Sequence, residues 1–542
     1  MGVSLRALRA LLLLAGFYLL CLALLGVFAG LALAAHHWAP FPVALKLDVV
    51  VALLAIPVVR GMTFLRAPQD DGEGGLPVTE AAQPELWAAV RRVAAAAGTR
   101  APDEILLTGS VNAGVSENAR MLGLLPGRRR LYIGAPLLAG LTEAQLLAVL
   151  GHEFGHYGNA DTRLAAVTLR GRHAVDRTVR SFTERADAKV EKERAKQQKR
   201  ADKALAKGRQ PKAVDTTGAG FGHRQMARLF LAYSRFFLRS TQSVARQQEL
   251  AADRVAVRIA GRDAAASALR ATAALDAAHG FYLRNYALVG TPAGLLPPYG
   301  QFYGGLSRLL AEPGRQEELA ELRDEVPEEE TSPYDAHPPT AERLRLIEAL
   351  PDDGRGRHEP VRPATALLHD TERVLGELEG ATLTPEALAM RRVDWPELLH
   401  LGLRADCDAD AEPLRQALRE TVGSDAGLRA LLDVADGGGL WRVADRLPKS
   451  EEAARARGRA AREFVRPYLR YTLSRLVVLE LVDAGLARWE MSWSQGTRLS
   501  LPEGLEDRLG EAVEAATEDT PDTRPLRHLL PWPSPHVTTQ TI

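Results

Sequence analysis

The chain has 542 residues, enough at roughly 150 per domain for three or four structural units. Its composition, 46% hydrophobic and 25% charged, excludes wholesale disorder and a polytopic membrane bundle. Sixty-eight basic residues balance 68 acidic ones, so no global field recruits nucleic acid, and no nucleic-acid partner is expected. The two cysteines, Cys21 and Cys407, are too few for a disulfide framework or a multi-cysteine zinc site, so any metal must be held by histidine and carboxylate.

Leu11 to Ala35 is an uncharged run of 25 residues, longer than the roughly 20 that cross the hydrocarbon core. The rival reading is a cleaved secretory signal, with Arg6 and Arg9 as its basic region and Ala-Leu-Ala-Ala ending at Ala35. Signal cores run about 7 to 15 residues, so a membrane helix is preferred. After a turn carrying His36, His37, Trp38, Pro40 and Pro42, a second apolar stretch from Val43 to Val59 contains Lys46 and Asp48. It reads as a second span, with an interfacial helix as the alternative. If both cross, Arg6, Arg9, Arg60 and Arg66 share one side, which the positive-inside rule makes cytoplasmic. Residues 1–66 are thus expected to form a transmembrane hairpin in the cell (inner or plasma) membrane, multi-pass, followed by a polar linker at 67–76 and a cytosolic body.

Helical spacing runs from Pro84 to Gly98, and Glu104–Thr108 and Leu131–Ile133 look like short strands. The next helix is well marked: Thr142 and Gln145 have capping-box spacing ahead of Leu146, Leu147, Val149 and Leu150. It contains His152-Glu153-Phe154-Gly155-His156. Positions four apart share a helical face, so both imidazoles can point at one ion, with Glu153 beside them as a general base. A catalytic zinc needs a third protein ligand and an open position. The candidate is Glu249 in Gln247-Gln248-Glu249-Leu250-Ala251-Ala252-Asp253, although Glu-x-x-x-Asp spacing is common on solvated helices. Asp253, one turn on, and Asp161 are candidates for holding a ligand histidine's ring in place.

These residues resemble the zinc endopeptidase family of the CAAX prenyl protease and the HtpX-type membrane-protein quality-control proteases. The resemblance rests on Val111-Asn112-Ala113, Leu141-Thr142-Glu143 leading into His152–His156, Asn159 and Asp161, Glu249–Asp253, and His337-Pro338-Pro339 with Arg343, and it covers residues 76–350. It implies zinc held by His152, His156 and Glu249, and an edge strand at Asn112 and Ala113 to which a polypeptide substrate adds. It also implies a catalytic role for His337 in stabilising the tetrahedral intermediate, the alternative being a helix-cap region before Pro338. Arg343 is expected in a structural ion pair.

One departure stands out. In integral members of that family the stretch between the metal helices carries further spans, whereas residues 184–212 here contain 11 basic and five acidic side chains, a balance of +6. This insertion is expected to be a solvated helical arm, with anionic lipid or a partner as the sharper alternative. Met226 to Phe237 is amphipathic and arginine-broken, and is expected to pack on the protein. The acidic stretch Glu317 to Glu330 reads as a solvated loop or helix face.

Past residues 351–356 the composition shifts. Helical spacing recurs from Thr365 to Leu432, a helix from Pro467 to Asp483 should stop at Gly485, and Trp489, Met491 and Trp493 alternate before a Gln495-Gly496 turn and a return through Leu499 and Leu501. The expected fold is α+β, mainly helical. A zincin-like metalloprotease core at 77–350 follows the transmembrane hairpin, a separate C-terminal α+β unit of unassigned role occupies 355–519, and 520–542 form an unordered tail. The expected function is that of a membrane-anchored zinc metalloendopeptidase acting on polypeptides, among them membrane proteins, in quality control or regulated processing. The competing reading is a membrane-tethered scaffold or adaptor with a structural metal site.

Overall fold

The structure, a computed structural model, describes residues 3–63, 74–117, 127–157, 162–205, 216, 218–325, 338–352, 354, 361–423, 427–449, 452, 455–530 and 532. Residue contacts divide the chain into two units: Met1–Leu275 with Glu321–Thr371, and Asp276–Ala320 with Glu372–Ile542. The described residues are mainly helical with short sheets, an α+β protein as the sequence implies.

The first unit opens with a helical hairpin, α1 (Val3–Trp38) and α2 (Phe41–Thr63), broken at Pro40. Leu12–Trp38 and Phe41–Arg60 are each long and apolar enough to cross a membrane. One face of the hairpin is covered by two later helices, α6 (Thr162–Leu205) and α7 (Phe221–Ala260): Phe17, Cys21, Phe28 and Val58 pack with Val175, Phe182 and Phe230. The Tyr233 hydroxyl donates to the Leu13 carbonyl. The amphipathic stretch within α7 therefore packs on protein, with Phe230 and Phe237 buried. The charge-rich segment is helical as far as Leu205, and beyond residue 186 its side chains are mostly exposed. Leu12, Leu19, Leu22, Val49 and Val50 remain exposed on the hairpin.

A four-stranded sheet follows, built from β1 (Leu76–Val78), β2 (Glu104–Thr108), β3 (Ala113–Glu117) and β4 (Arg129–Gly134) in the order β1-β2-β4-β3. β2 and β4 are parallel, and the two outer pairings are antiparallel. The apolar alternation of Ile105, Leu107, Leu131 and Ile133 puts these side chains in the core, all fully buried. The Ala-Gly-Val-Ser-Glu sequence of β3 has little strand propensity of its own and is carried by its pairing with β4. Gly134 permits that pairing, because a Cβ there would lie 1.9 Å from the Ser110 carbonyl oxygen.

Helix α3 (Pro84–Ala96) buries Leu86, Trp87, Val90 and Val93. Short helix α4 (Ala135–Gly140) leads into α5 (Glu143–Gly155). A distant strap holds the start of α5: the Glu143 N–H donates to the Arg362 carbonyl at 2.7 Å, and the Arg362 guanidinium reaches Glu143 at 2.8 Å and Glu85 at 2.7 Å. Helix α8 (Arg262–Tyr282) follows α7 directly after Gly261, whose φ of 93° suits glycine.

The second unit gathers helices Trp395–Val422, Leu428–Asp436, Arg459–Asp483 and Leu505–Ala515 around a leucine-rich core. Residues 276–320, expected within the protease range, pack here: buried Glu379 accepts from the Phe302 N–H at 2.8 Å and pairs with Arg392 at 2.7 Å. The expected hairpin is present as Arg488–Glu490 paired with Arg498–Ser500, with Trp489 opposite Leu499. Gly485, at φ 73°, follows the preceding helix. The expectation of an unordered tail from residue 520 is corrected for Arg524–Leu529, which is helical. Leu526 there is fully buried, and Arg527 pairs with Asp433 at 2.6 Å and Asp436 at 2.9 Å.

Candidate metal centre

Helix α5 starts where its capping box puts it. The Gln145 N–H donates to Thr142 Oγ1 at 3.2 Å, and the Thr142 N–H donates to Gln145 Oε1 at 2.9 Å. With the start fixed, the 3.6-residue period sends His152 and His156 to the same side at the other end. The same stretch carries Gly151 and Gly155, which meet α7 without side chains: a Cβ at Gly155 would lie 2.9 Å from Ala252 Cα, and one at Gly151 would lie 3.3 Å from Ala256 Cα. Two small residues on each helix at four-residue spacing let the backbones approach closely. That approach carries Glu249 and Asp253 of α7 up to the histidines.

The three candidate side chains cluster, with the two histidines nearest to different oxygens of the Glu249 carboxylate. His152 Nε2 lies 3.3 Å from His156 Nε2 and 3.4 Å from Glu249 Oε2, and His156 Nε2 lies 3.7 Å from Glu249 Oε1. A tetrahedral ion with bonds of about 2.0–2.1 Å separates its ligands by about 3.4 Å; the distances from His152 match that spacing, and the whole group, one donor atom from each residue, lies within 4.8 Å. Among the described residues this is the one group of three His, Cys, Asp or Glu side chains placed to hold a metal ion. Glu249 is buried and the histidines are partly exposed.

Behind the cluster runs a buried polar chain. His152 Nδ1 lies 2.9 Å from Asp253 Oδ1, so the nitrogen facing Glu249 and His156 is Nε2. Asp253 is gripped in turn by Arg343, from the helix Thr340–Glu348, whose Nη2 and Nε donate to its two oxygens at 2.6 Å and 2.9 Å. This fork is the ion pair expected of Arg343, now with its partner identified. Burial pushes the Asp253 carboxyl up, but the Arg343 guanidinium and the His152 ring outweigh it and hold the group below the usual carboxylate range. Burial also pushes the His152 imidazole down, and hydrogen bonds to Asp253 and Glu249 overcome it, raising the group to about 9. Glu153 is partly buried and its charge bears on both His152 and Arg343.

The remaining candidates divide into two groups. Ala113 begins the edge strand β3, and the Asn112 carbonyl accepts from the Gly134 N–H at 2.8 Å. Asp161, Asn159 and His337 lie outside the described residues. Tyr157, the residue after His156, was not singled out from the sequence: its hydroxyl donates to the Val115 carbonyl of β3 at 2.6 Å, joining the end of the metal-site helix to the sheet edge. No sequence period announces a bond between residues 42 apart.

The profile of peptidase family M48 matches residues 80–350, half of the 542-residue chain. No curated protein and no solved structure matches it.

Proposed function

Because the chain belongs to peptidase family M48 and is by that membership a metalloprotease, we propose that it is a membrane-anchored, zinc-dependent endopeptidase. Zinc would be held by His152, His156 and Glu249. The observation that supports this reading is the clustering of three side chains from two helices distant in the chain: His152 Nε2 lies 3.3 Å from His156 Nε2 and 3.4 Å from Glu249 Oε2, and His156 Nε2 lies 3.7 Å from Glu249 Oε1. A structural zinc would take four protein ligands, and among the described residues three side chains gather here, the number that suits a catalytic zinc.

Bound there, zinc would supply Lewis-acid polarisation of the scissile carbonyl and acidify a water molecule. The Glu153 carboxylate accepts the proton of the attacking water and returns it to the leaving nitrogen. Asp253 keeps His152 in one tautomer and one orientation, and Arg343 fixes Asp253. His337 is proposed, on the family resemblance, to donate to the oxygen on which negative charge develops, and Asp161 to be a further orienting carboxylate. Asn112 and Ala113 would line the edge to which an extended polypeptide adds as a further strand.

The apolar hairpin would anchor the protein in the bilayer, with the basic residues at its ends placing the catalytic body in the cytoplasm. Substrates would then be polypeptides within reach of the membrane, including membrane proteins undergoing quality control or regulated processing. The test is Glu153→Gln in the full-length protein. It should keep its zinc while casein digestion drops by about 10²- to 10⁴-fold; undiminished digestion would remove Glu153 from the mechanism.

A further inference from the structure

Strand β3 has one partner, β4, and among the described residues nothing pairs with its other edge. The antiparallel register sets which backbone groups face that edge. Asn112 lies opposite Gly134 and exchanges a hydrogen bond with it, so by alternation Gly114 and Ser116 bond to β4 while Ala113, Val115 and Glu117 point outward. The Val115 carbonyl, which by this alternation faces away from β4, accepts from the Tyr157 hydroxyl at 2.6 Å.

Tyr157 is itself fixed. The Arg129 guanidinium lies 4.9 Å from its ring centroid. Arg129 is buried and bonds to Glu117 at 2.7 Å, to Thr99 at 2.9 Å and to the Arg100 carbonyl at 2.5 Å. The phenol thus sits across the outer edge at Val115, backed by a rigid cation, with Glu117 beyond it tied into the same cluster.

We propose that Tyr157 is a specificity-determining residue that ends the substrate-pairing edge at Val115. An added strand then meets three backbone groups, the Ala113 N–H, the Ala113 carbonyl and the Val115 N–H, and finds the next acceptor occupied. Recognition at this edge is short and made through the backbone, so extended polypeptides of varied sequence are accepted over about two residues. This rests on the reading of β3 as the substrate edge.

The experiment uses a casein-derived peptide that the full-length zinc-loaded protein cleaves, prepared as a series with single backbone N-methyl groups. An N-methylated amide cannot donate a hydrogen bond. Tyr157→Phe keeps the ring against Arg129 and frees the Val115 carbonyl. The wild type should show a several-fold loss of kcat/KM on methylation of the amide that meets the Ala113 carbonyl. Y157F should gain a second sensitive amide two residues along the peptide, with its zinc content unchanged. Identical methylation profiles in the two proteins overturn the proposal, and so does loss of zinc from Y157F, which would make Tyr157 a structural residue. If no amide is sensitive in the wild type, strand addition at β3 fails instead. A wild type that cleaves no peptide removes the protease reading and the proposal with it.

Discussion

Gly155 of α5 and Ala252 of α7 touch backbone to backbone: a Cβ on Gly155 would come within 2.9 Å of Ala252 Cα and 3.1 Å of Val255 Cβ. This contact sets the distance between the helix that bears the histidines and the helix that bears Glu249. Gly155→Val should part the helices, destabilise the protein by about 1–3 kcal/mol and empty the metal site. Gly155→Ala should keep the fold and bind zinc more weakly. Thermal unfolding and metal content measured on both variants check this, and full zinc occupancy in Gly155→Val would show that helix spacing does not govern the site.

Arg343 acts at one remove from the cluster, through Asp253. Its replacement by Ala should lower zinc affinity about 10- to 100-fold. Lys should recover only part of the loss, since an ammonium cannot make the two-pronged contact that Nη2 and Nε make at 2.6 Å and 2.9 Å. Competition with a chromophoric chelator reads the difference, and equal affinity in Lys and wild-type proteins would show that only the charge matters.

The metal-free protein should carry a proton on His152 at neutral pH, because Asp253 and Glu249 raise the group to about 9 against the effect of burial. Zinc must displace that proton. Apparent zinc affinity should therefore climb with pH up to about 9 and level off above it. The sign for the metal-free fold is opposite: the raised pKa stabilises it fully below the ordinary histidine value of about 6.5, and that contribution fades as pH rises through about 9. Calorimetric titration at pH 7 in buffers of different ionisation enthalpy should show about one proton released per zinc. A heat independent of buffer would mean that His152 is already neutral.

The hairpin should hold the protein in the bilayer with its turn on the outside. Trp38, at the end of α1, is 82% exposed, while Cys21 and Cys407 are buried. Trp38→Cys should react with a membrane-impermeant maleimide in intact cells. Labelling only after permeabilisation would reverse the proposed orientation.

Much of the site was legible because its signals are local. The cap at Thr142 and Gln145 and the histidines four apart are each written within one or two helical turns, whereas Glu249 and Asp253 share a spacing common on solvated helices and stand out through the family resemblance. The pairing of the two helices was less legible, although Gly151 and Gly155 match Ala252 and Ala256 in spacing. Small residues mark a close approach without saying to what. The Arg343 fork and the Tyr157 bond to Val115 join residues 90 and 42 positions apart. Periodicity carries no trace of such partners. The same holds for residues 276–320, whose packing with the C-terminal helices depends on contacts such as that of Phe302 with Glu379, 77 positions away.

The central claim is that one ion is held jointly by α5 and α7. Metal analysis of purified full-length protein beside Glu249→Ala tests it most directly. The account predicts one zinc per chain in the wild type and essentially none in the variant, with both proteins folded by circular dichroism. A variant that keeps its full zinc complement would contradict it.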